Sequence, residues 1–222
     1  RQGRVFESYI HKLFPNGINI DKEKNNYSEK IAYTSELIKN QKKPLFEATL
    51  STQYEGIPLF CMIDILVPKE DGWEIYEIKS STKVKKYHYE DLAFQYFTAL
   101  HSGLKIKSAK IIHLNSSYVR EGDIIVKDLC AFSDITEQVI LFQTKIPNFL
   151  KDLVLVDNNN SEPDISIGKH CIDPYDCPFK DIYCWKGLDN NNVFNFLGKK
   201  TASDLYNSGV FLIDDIPLDI KS

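Results

Sequence analysis

Apolar residues at Val5, Phe6, Tyr9, Ile10 and Leu13 recur at helical spacing, and the stripe stops at Phe14-Pro15-Asn16-Gly17. Residues 2–13 are therefore predicted as an amphipathic helix. A polar stretch follows, within which YSEKIAYTSELIKN (27–40) is the helical part. The period then changes from 3.6 to 2. LFEATLS (45–51), IPLFCMIDILV (57–67) and WEIYEIKS (73–80) read as three strands, joined by turns at Glu55-Gly56 and at PKEDG. YHYEDLAFQYFTALHSG (87–103) returns to a helical period and ends at Gly103. AKIIHLN (109–115) is a further strand, and residues 135–154 are one helix or two. The order helix, three antiparallel strands, helix, strand defines an α/β protein.

VDNNNSEPD (156–164) is the clearest linker. It separates a first part, 1–155, from a Cys-rich segment reaching residue 198 and a small helical tail over 199–222, whose pattern GKKTASDLYNSGVFLIDDIP starts at Gly198. At 222 residues and 43% hydrophobic content the chain can bury a sizeable core. No apolar run approaches the roughly 18 residues of a membrane span, and no signal peptide is legible, so the expected location is the cytoplasm. The chain opens at Arg1, inside a helical pattern, which leads us to expect residues upstream. A net charge of −4 argues against a uniformly basic nucleic-acid coat and leaves room for a local basic strip.

The chemistry concentrates on the second and third strands. A hairpin centred between Glu70 and Asp71 pairs residues whose numbers sum to 141, so Asp64 faces Glu77. Directly opposed residues hold their Cβ atoms about 4.5–5.5 Å apart, and like charges there repel. Period two puts Lys79 on the face of Glu77. Met62, Leu66 and Ile75 shelter the acids, where an uncompensated carboxylate is costly. A divalent cation removes that cost, and oxygen ligands suit Mg²⁺ or Mn²⁺. Such an ion activates water beside a phosphodiester, while Lys79 orients the nucleophile or stabilises developing charge. The plainer alternative is an exposed cross-strand ladder of salt bridges.

MIDILV followed by YEIKSS resembles the paired motifs of the PD-(D/E)XK nuclease superfamily, and the element order is similar to that superfamily's core. GRVFESYIHKLFPNG and DLAFQYFTALHSGLK bring the chain nearest to RecB-type exonuclease domains, including the CRISPR-associated ones and an uncharacterised bacterial family related to them. The resemblance implies a restriction-endonuclease-like fold and a metal-dependent DNA nuclease, an exonuclease acting on single strands or ends. It assigns metal binding to Asp64 and Glu77 and catalysis to Asp64, Glu77 and Lys79. Glu7, four residues after Gly3, falls where RecB-type domains often carry a metal-binding His; the alternative is an ordinary solvated glutamate. Gln95 resembles the glutamine of the helix after the Lys strand, but Ala99 stands where Tyr usually follows. His88, Asp91 and Gln95 share one helix face, which a solvated polar face would also explain.

Lys83, Lys85 and Lys86 run into Tyr87 and His88. Cations interleaved with aromatic rings suit single-stranded nucleic acid, although lysine-rich loops are commonly just solvated. Of five cysteines, Cys171, Cys177 and Cys184 cluster beside His170. The resemblance implies a [4Fe-4S] cluster, which needs a fourth thiolate, expected upstream of residue 1. Zinc with His170, or three free thiols, are the alternatives. Cys61 and Cys130 read as core residues, and alternation from Asp64 puts Cys61 on the opposite sheet face. The rival functions are a nuclease fold that binds nucleic acid or a partner without cutting, and a cluster- or zinc-stapled interaction domain whose tail is similar to a helix-hairpin-helix unit.

Overall fold

The amphipathic start folds as α1 (Gln2–Ile10), with a 3₁₀ turn at His11–Leu13 before the Pro15 stop. The computed structural model describes residues 2–161, 165–173, 175–218 and 220. They fall into two units that divide after Asn158.

In the first unit α1 leads to β1 (Ile18–Asn19), α2 (Ile20–Glu23), α3 (Tyr27–Asn40), β2 (Leu45–Tyr54), β3 (Ile57–Lys69), β4 (Gly72–Lys79), α4 (Lys86–His101), β5 (Ile106–Leu114), α5 (Val126–Leu129), β6 (Cys130–Asp134), α6 (Thr136–Gln143) and α7 (Ile146–Asp157). The helix over 27–40 and the three-strand meander stand where the hydrophobic period puts them. The short β1, α2, α5 and β6 carry too few residues for a period to show. All six strands form one mixed sheet in the order β1 to β6. β1 runs parallel to β2, β2–β3–β4 is antiparallel, β5 returns parallel to β4 through α4, and β6 is antiparallel to β5.

Each face of the sheet is covered. Ile63, Leu66, Ile75 and Ile111 pack with Leu37 of α3 and with Leu92 and Tyr96 of α4. Phe46, Ile65, Tyr76 and Ile112 pack beneath Phe6 and Ile10 of α1. The β3–β4 register pairs Ile65 with Tyr76 and Leu66 with Ile75, so paired numbers sum to 141.

Gly72 closes this hairpin at φ 134°, and a Cβ there would lie 2.4 Å from the Lys105 carbonyl oxygen, which accepts from the Trp73 N–H at 2.8 Å. Gly72→Ala is expected to cost at least about 1 kcal/mol. A lowered urea midpoint at unchanged m-value checks it.

The second unit holds a 3₁₀ turn at Lys169–Cys171, a π-type turn at Lys180–Cys184 and α8 (Lys199–Asn207). Ile167, Cys171 and Ile172 pack with Trp185, Phe194 and Tyr206, and the last two rings also pack on Val193, Ala202 and Leu205. The Cys-rich segment and the tail therefore share aromatic residues and belong to one unit, rather than dividing at residue 198. Residues 162–164 of the linker and 219, 221 and 222 of the tail lie outside the described residues.

Candidate active site at the parting of two strands

β3 and β4 pair as far as Ile65 and Tyr76 and then separate. The freed Ile78 N–H donates to Asp64 Oδ2 at 2.7 Å, so Asp64 replaces a main-chain partner. Beside it Glu77 is buried, and its carboxylate takes two donors. Lys79 Nζ lies 2.7 Å from Glu77 Oε1, and Gln95 Nε2 lies 2.8 Å from Oε2. Lys79 also reaches Asp91 Oδ2 at 2.6 Å, so one ammonium bridges the end of β4 to the first half of α4.

A further acid joins this group that motif reasoning did not single out. Glu47 sits in the otherwise regular β2 at φ 57°, a left-handed conformation unusual for a glutamate. The β2–β3 ladder runs from Phe46–Ile65 to Ala48–Ile63 and skips the pair Glu47–Asp64 between them. The kink exchanges the two faces: Phe46 and Ile65 pack under α1, Ala48 and Ile63 against the α4 side. Simple alternation therefore fails across Asp64. Cys61 packs in the same cluster as Ile75, on the face of Glu77, where alternation from Asp64 puts it on the other. Cys61 and Cys130 are both buried free thiols, as core residues are. A signal for Glu47 was present in the sequence: the turn at Glu55-Gly56 makes paired numbers sum to 111, which sets residue 47 opposite residue 64.

Glu47 and Glu7 of α1 line a cleft of about 490 Å³ with Arg4, His11, Asp21 and Lys22. His11 stacks on Phe46 at 3.9 Å between ring centroids, with Nε2 3.6 Å from Glu7. Burial, followed by Glu7 and Asp21, pushes the Glu47 carboxyl up to about 7. Burial and then Glu77 hold Asp64 well above the ordinary carboxylate range, against the opposing pull of the Ile78 N–H. Burial also raises Glu77, although Lys79 offsets part of this. For Lys79, burial works to lower the proton affinity, but Glu77 and Asp91 outweigh it and the net shift is upward.

Asp64, Glu77, Lys79 and Gln95 are thus brought to one place, and Glu47 stands between them and Glu7 of α1. Gln95 is not a surface group awaiting a nucleic acid: it is buried beneath Glu77, and its Oε1 has no partner within the protein. On the helix face bearing His88, Asp91 and Gln95, His88 and Gln95 are buried, while Asp91 is exposed and still reaches Lys79. His88 departs from its expected role. It is 2% exposed and its Nδ1 accepts the Lys85 N–H at 3.2 Å, capping the first turn of α4. Burial, then Lys79, holds its imidazole below the usual range. Lys83, Lys85 and Lys86 are exposed, while Tyr87 is half-buried edge-on to His88 with Lys85 Nζ 5.6 Å from its ring centroid.

Glu47, Asp64 and Glu77 interact as like charges, with the Lys79 ammonium on Glu77, and carboxylate oxygens are the donors that a hard divalent cation takes. Among the described residues, no group of three or more His, Cys, Asp or Glu side chains is placed so as to hold a metal ion. That holds for the cysteines too. Cys171 is buried in the small core, Cys177 is half-buried and Cys184 is exposed. The Cys177 N–H donates to the Cys171 carbonyl at 2.9 Å, a main-chain turn rather than a gathering of thiols.

No family model matches this chain, and no curated protein does. A solved structure, that of SSO0001, is similar over 72% of this chain and 87% of its own, at 10% identity and a TM-score of 0.30, too slight a likeness to bear on fold or chemistry. No helix among the described residues is long and apolar enough to cross a membrane.

Proposed function

We propose that this chain is a metal-dependent DNA nuclease of the PD-(D/E)XK superfamily with a RecB-type core, hydrolysing phosphodiester bonds of single strands or ends. The observation that carries this reading is the desolvated acid group at the parting of β3 and β4, with the Lys79 ammonium 2.7 Å from Glu77. Asp64 and Glu77 would hold Mg²⁺ or Mn²⁺, with Glu7 and Glu47 extending the oxygen set. Once bound, such an ion lowers the pKa of water and offsets charge on the phosphoryl oxygens. Lys79 stays protonated between Glu77 and Asp91 and presents its ammonium to the negative charge that builds up on the phosphate. Gln95 fixes the Glu77 carboxylate from below. The exposed Lys83, Lys85 and Lys86 border the same end of β4 and supply counter-charge for a strand leading to the acids.

The assay is cleavage of end-labelled single- and double-stranded DNA. Cleavage is expected with Mn²⁺ or Mg²⁺, to stop on chelation and to return when the metal is restored. Intact substrate under all metal conditions would sink the proposal. The open arrangement of the acids favours one second reading, a nuclease fold that binds nucleic acid without cutting it. DNA binding with no cation bound near Asp64 in a metal titration would select it. An iron–sulfur or zinc staple in the second unit is a separate proposal, requiring a donor beyond Cys171, Cys177 and Cys184. Metal analysis and visible absorption on anaerobically purified protein decide it.

A further inference from the structure

α7 carries two apolar stripes, and the core of the first unit uses one of them. Ile146 and Leu150 are buried in that core, whereas Phe149, Leu153 and Val156 are 49%, 65% and 58% exposed. Spaced four and three residues apart, these three fall along one line of the helix. With Glu90 and Phe94 of α4 and Phe142 of α6 they line an open groove of about 460 Å³, within the roughly 300–1,000 Å³ of ligand clefts. Its walls are tied together, since Gln143 Nε2 of α6 donates to the Ala93 carbonyl of α4 at 3.1 Å. The charged residues of the lining are Glu90 from α4 and Asp152 from α7, both exposed acids without an ion pair among the described residues. Of the lysines on these helices, Lys151 pairs with Glu55 at 3.8 Å, and Lys145, 4.8 Å from the Phe142 ring centroid, lies outside the lining. Exposed apolar surface rimmed by polar groups marks a contact site.

We propose that this groove docks an amphipathic helix of a partner protein, with the partner's apolar stripe on Phe149, Leu153 and Val156 and with lysines or arginines beside that stripe on Glu90 and Asp152. The walls are helices, whose main-chain groups are bonded within themselves, so they offer no edge to an added strand. They present instead the side-chain ridges into which another helix packs. The unpaired acids choose the charge of the occupant. A basic flank satisfies both, whereas an anionic lipid surface would be repelled. A two-fold dimer through this groove would set the same acidic lining against itself, with no basic lining residue to meet it. None of these residues is assigned to cleavage, so this surface stands apart from the nuclease reading.

The test uses the full chain and two labelled synthetic peptides of about 18 residues, long enough to be helical, with leucines at helical spacing flanked by lysines in one and by glutamates in the other. The lysine peptide should bind about tenfold or more tightly than the glutamate peptide, and added salt should narrow the difference. Leu153→Asp, at an exposed position that does not threaten folding, should weaken binding of the lysine peptide about tenfold or more. Replacing Glu90 and Asp152 together by Lys should reverse the preference between the two peptides. Equal affinity for both peptides, no binding of either, or lysine-peptide binding that ignores Leu153→Asp would each overturn the proposal and leave the nuclease reading standing. A dimer that Leu153→Asp dissociates would assign the groove to a second copy of this chain, against the proposal. Binding to anionic phospholipid vesicles with none to the peptides would assign it to a membrane surface, also against it.

Discussion

Lys79→Ala is expected to lower Mn²⁺-dependent cleavage by about 10²–10³-fold or more, with little change in fold. The ammonium touches Glu77 and Asp91 and no other described acid within ion-pair distance, at 2.7 and 2.6 Å, from a half-buried position. Its proton affinity is raised overall, because those two carboxylates outweigh the burial that opposes them. It therefore carries a full positive charge throughout the neutral range, which suits electrostatic stabilisation and disqualifies it as a proton acceptor there. The pH dependence of cleavage should accordingly follow the acids and not the lysine. Asp64→Ala and Glu77→Ala should each abolish cleavage, and triple replacement should cost little more than one, since residues acting as a unit are not additive. Lys83→Ala, at an exposed site, should instead weaken strand binding and flatten its salt dependence while leaving turnover near the parent's. Equal rates for Lys79→Ala and the parent would contradict the assignment.

Asp64→Asn is expected to stabilise the metal-free protein while removing its activity. Glu77 is buried, Asp64 and Glu47 are half-buried beside it, and the three repel one another, so neutralising one relieves both desolvation and repulsion. The gain should be about 1–3 kcal/mol, or about 2–4 °C per kcal/mol in a chain of this size. The pH dependence follows the same physics. Glu47 titrates near 7 in the folded protein, raised from an ordinary value of 4.5. A carboxylate with a raised folded pKa binds more protons folded than unfolded, so its favourable contribution is complete below the unfolded value and is lost as pH rises through the folded one. Metal-free protein should therefore lose stability between about pH 5 and 8. Glu47→Gln and Asp64→Asn should each reduce that slope, and saturating Mn²⁺ should reverse it by binding only the folded acid group. Thermal melts followed by circular dichroism at several pH values read all three effects; a flat metal-free profile would show that the acids are not mutually strained.

Much of this was legible because it follows from local rules. The turn centred between Glu70 and Asp71 fixes a register summing to 141, which the hairpin keeps as far as Ile65–Tyr76, and Asp64 and Glu77 come next where the strands part. Period two sets Lys79 beside Glu77, and helical periods mark α1, α3 and α4 within a residue or two. The turn at Glu55-Gly56 sets Glu47 opposite Asp64, but the direction of its side chain was hidden because the strand departs from period two there. The kink that turns it toward Glu7 comes from one left-handed residue, and pattern counting assumes that none exists. His88 and Gln95 were hidden differently. A polar helix face looks the same in sequence whether water or a buried carboxylate lies opposite, and only the approach of α4 to β4 decides between them.

By itself, then, the sequence determined the strands, their register and the meeting of Asp64, Glu77 and Lys79, because turn geometry and alternation act over a few residues. Tertiary structure alone decided that Glu47 of β2 joins Asp64 and Glu77, that Gln95 supports Glu77, and that His88 caps a helix. Apart from the local His88 cap, those outcomes depend on which elements pack together, where burial and charge, rather than spacing, choose the neighbours.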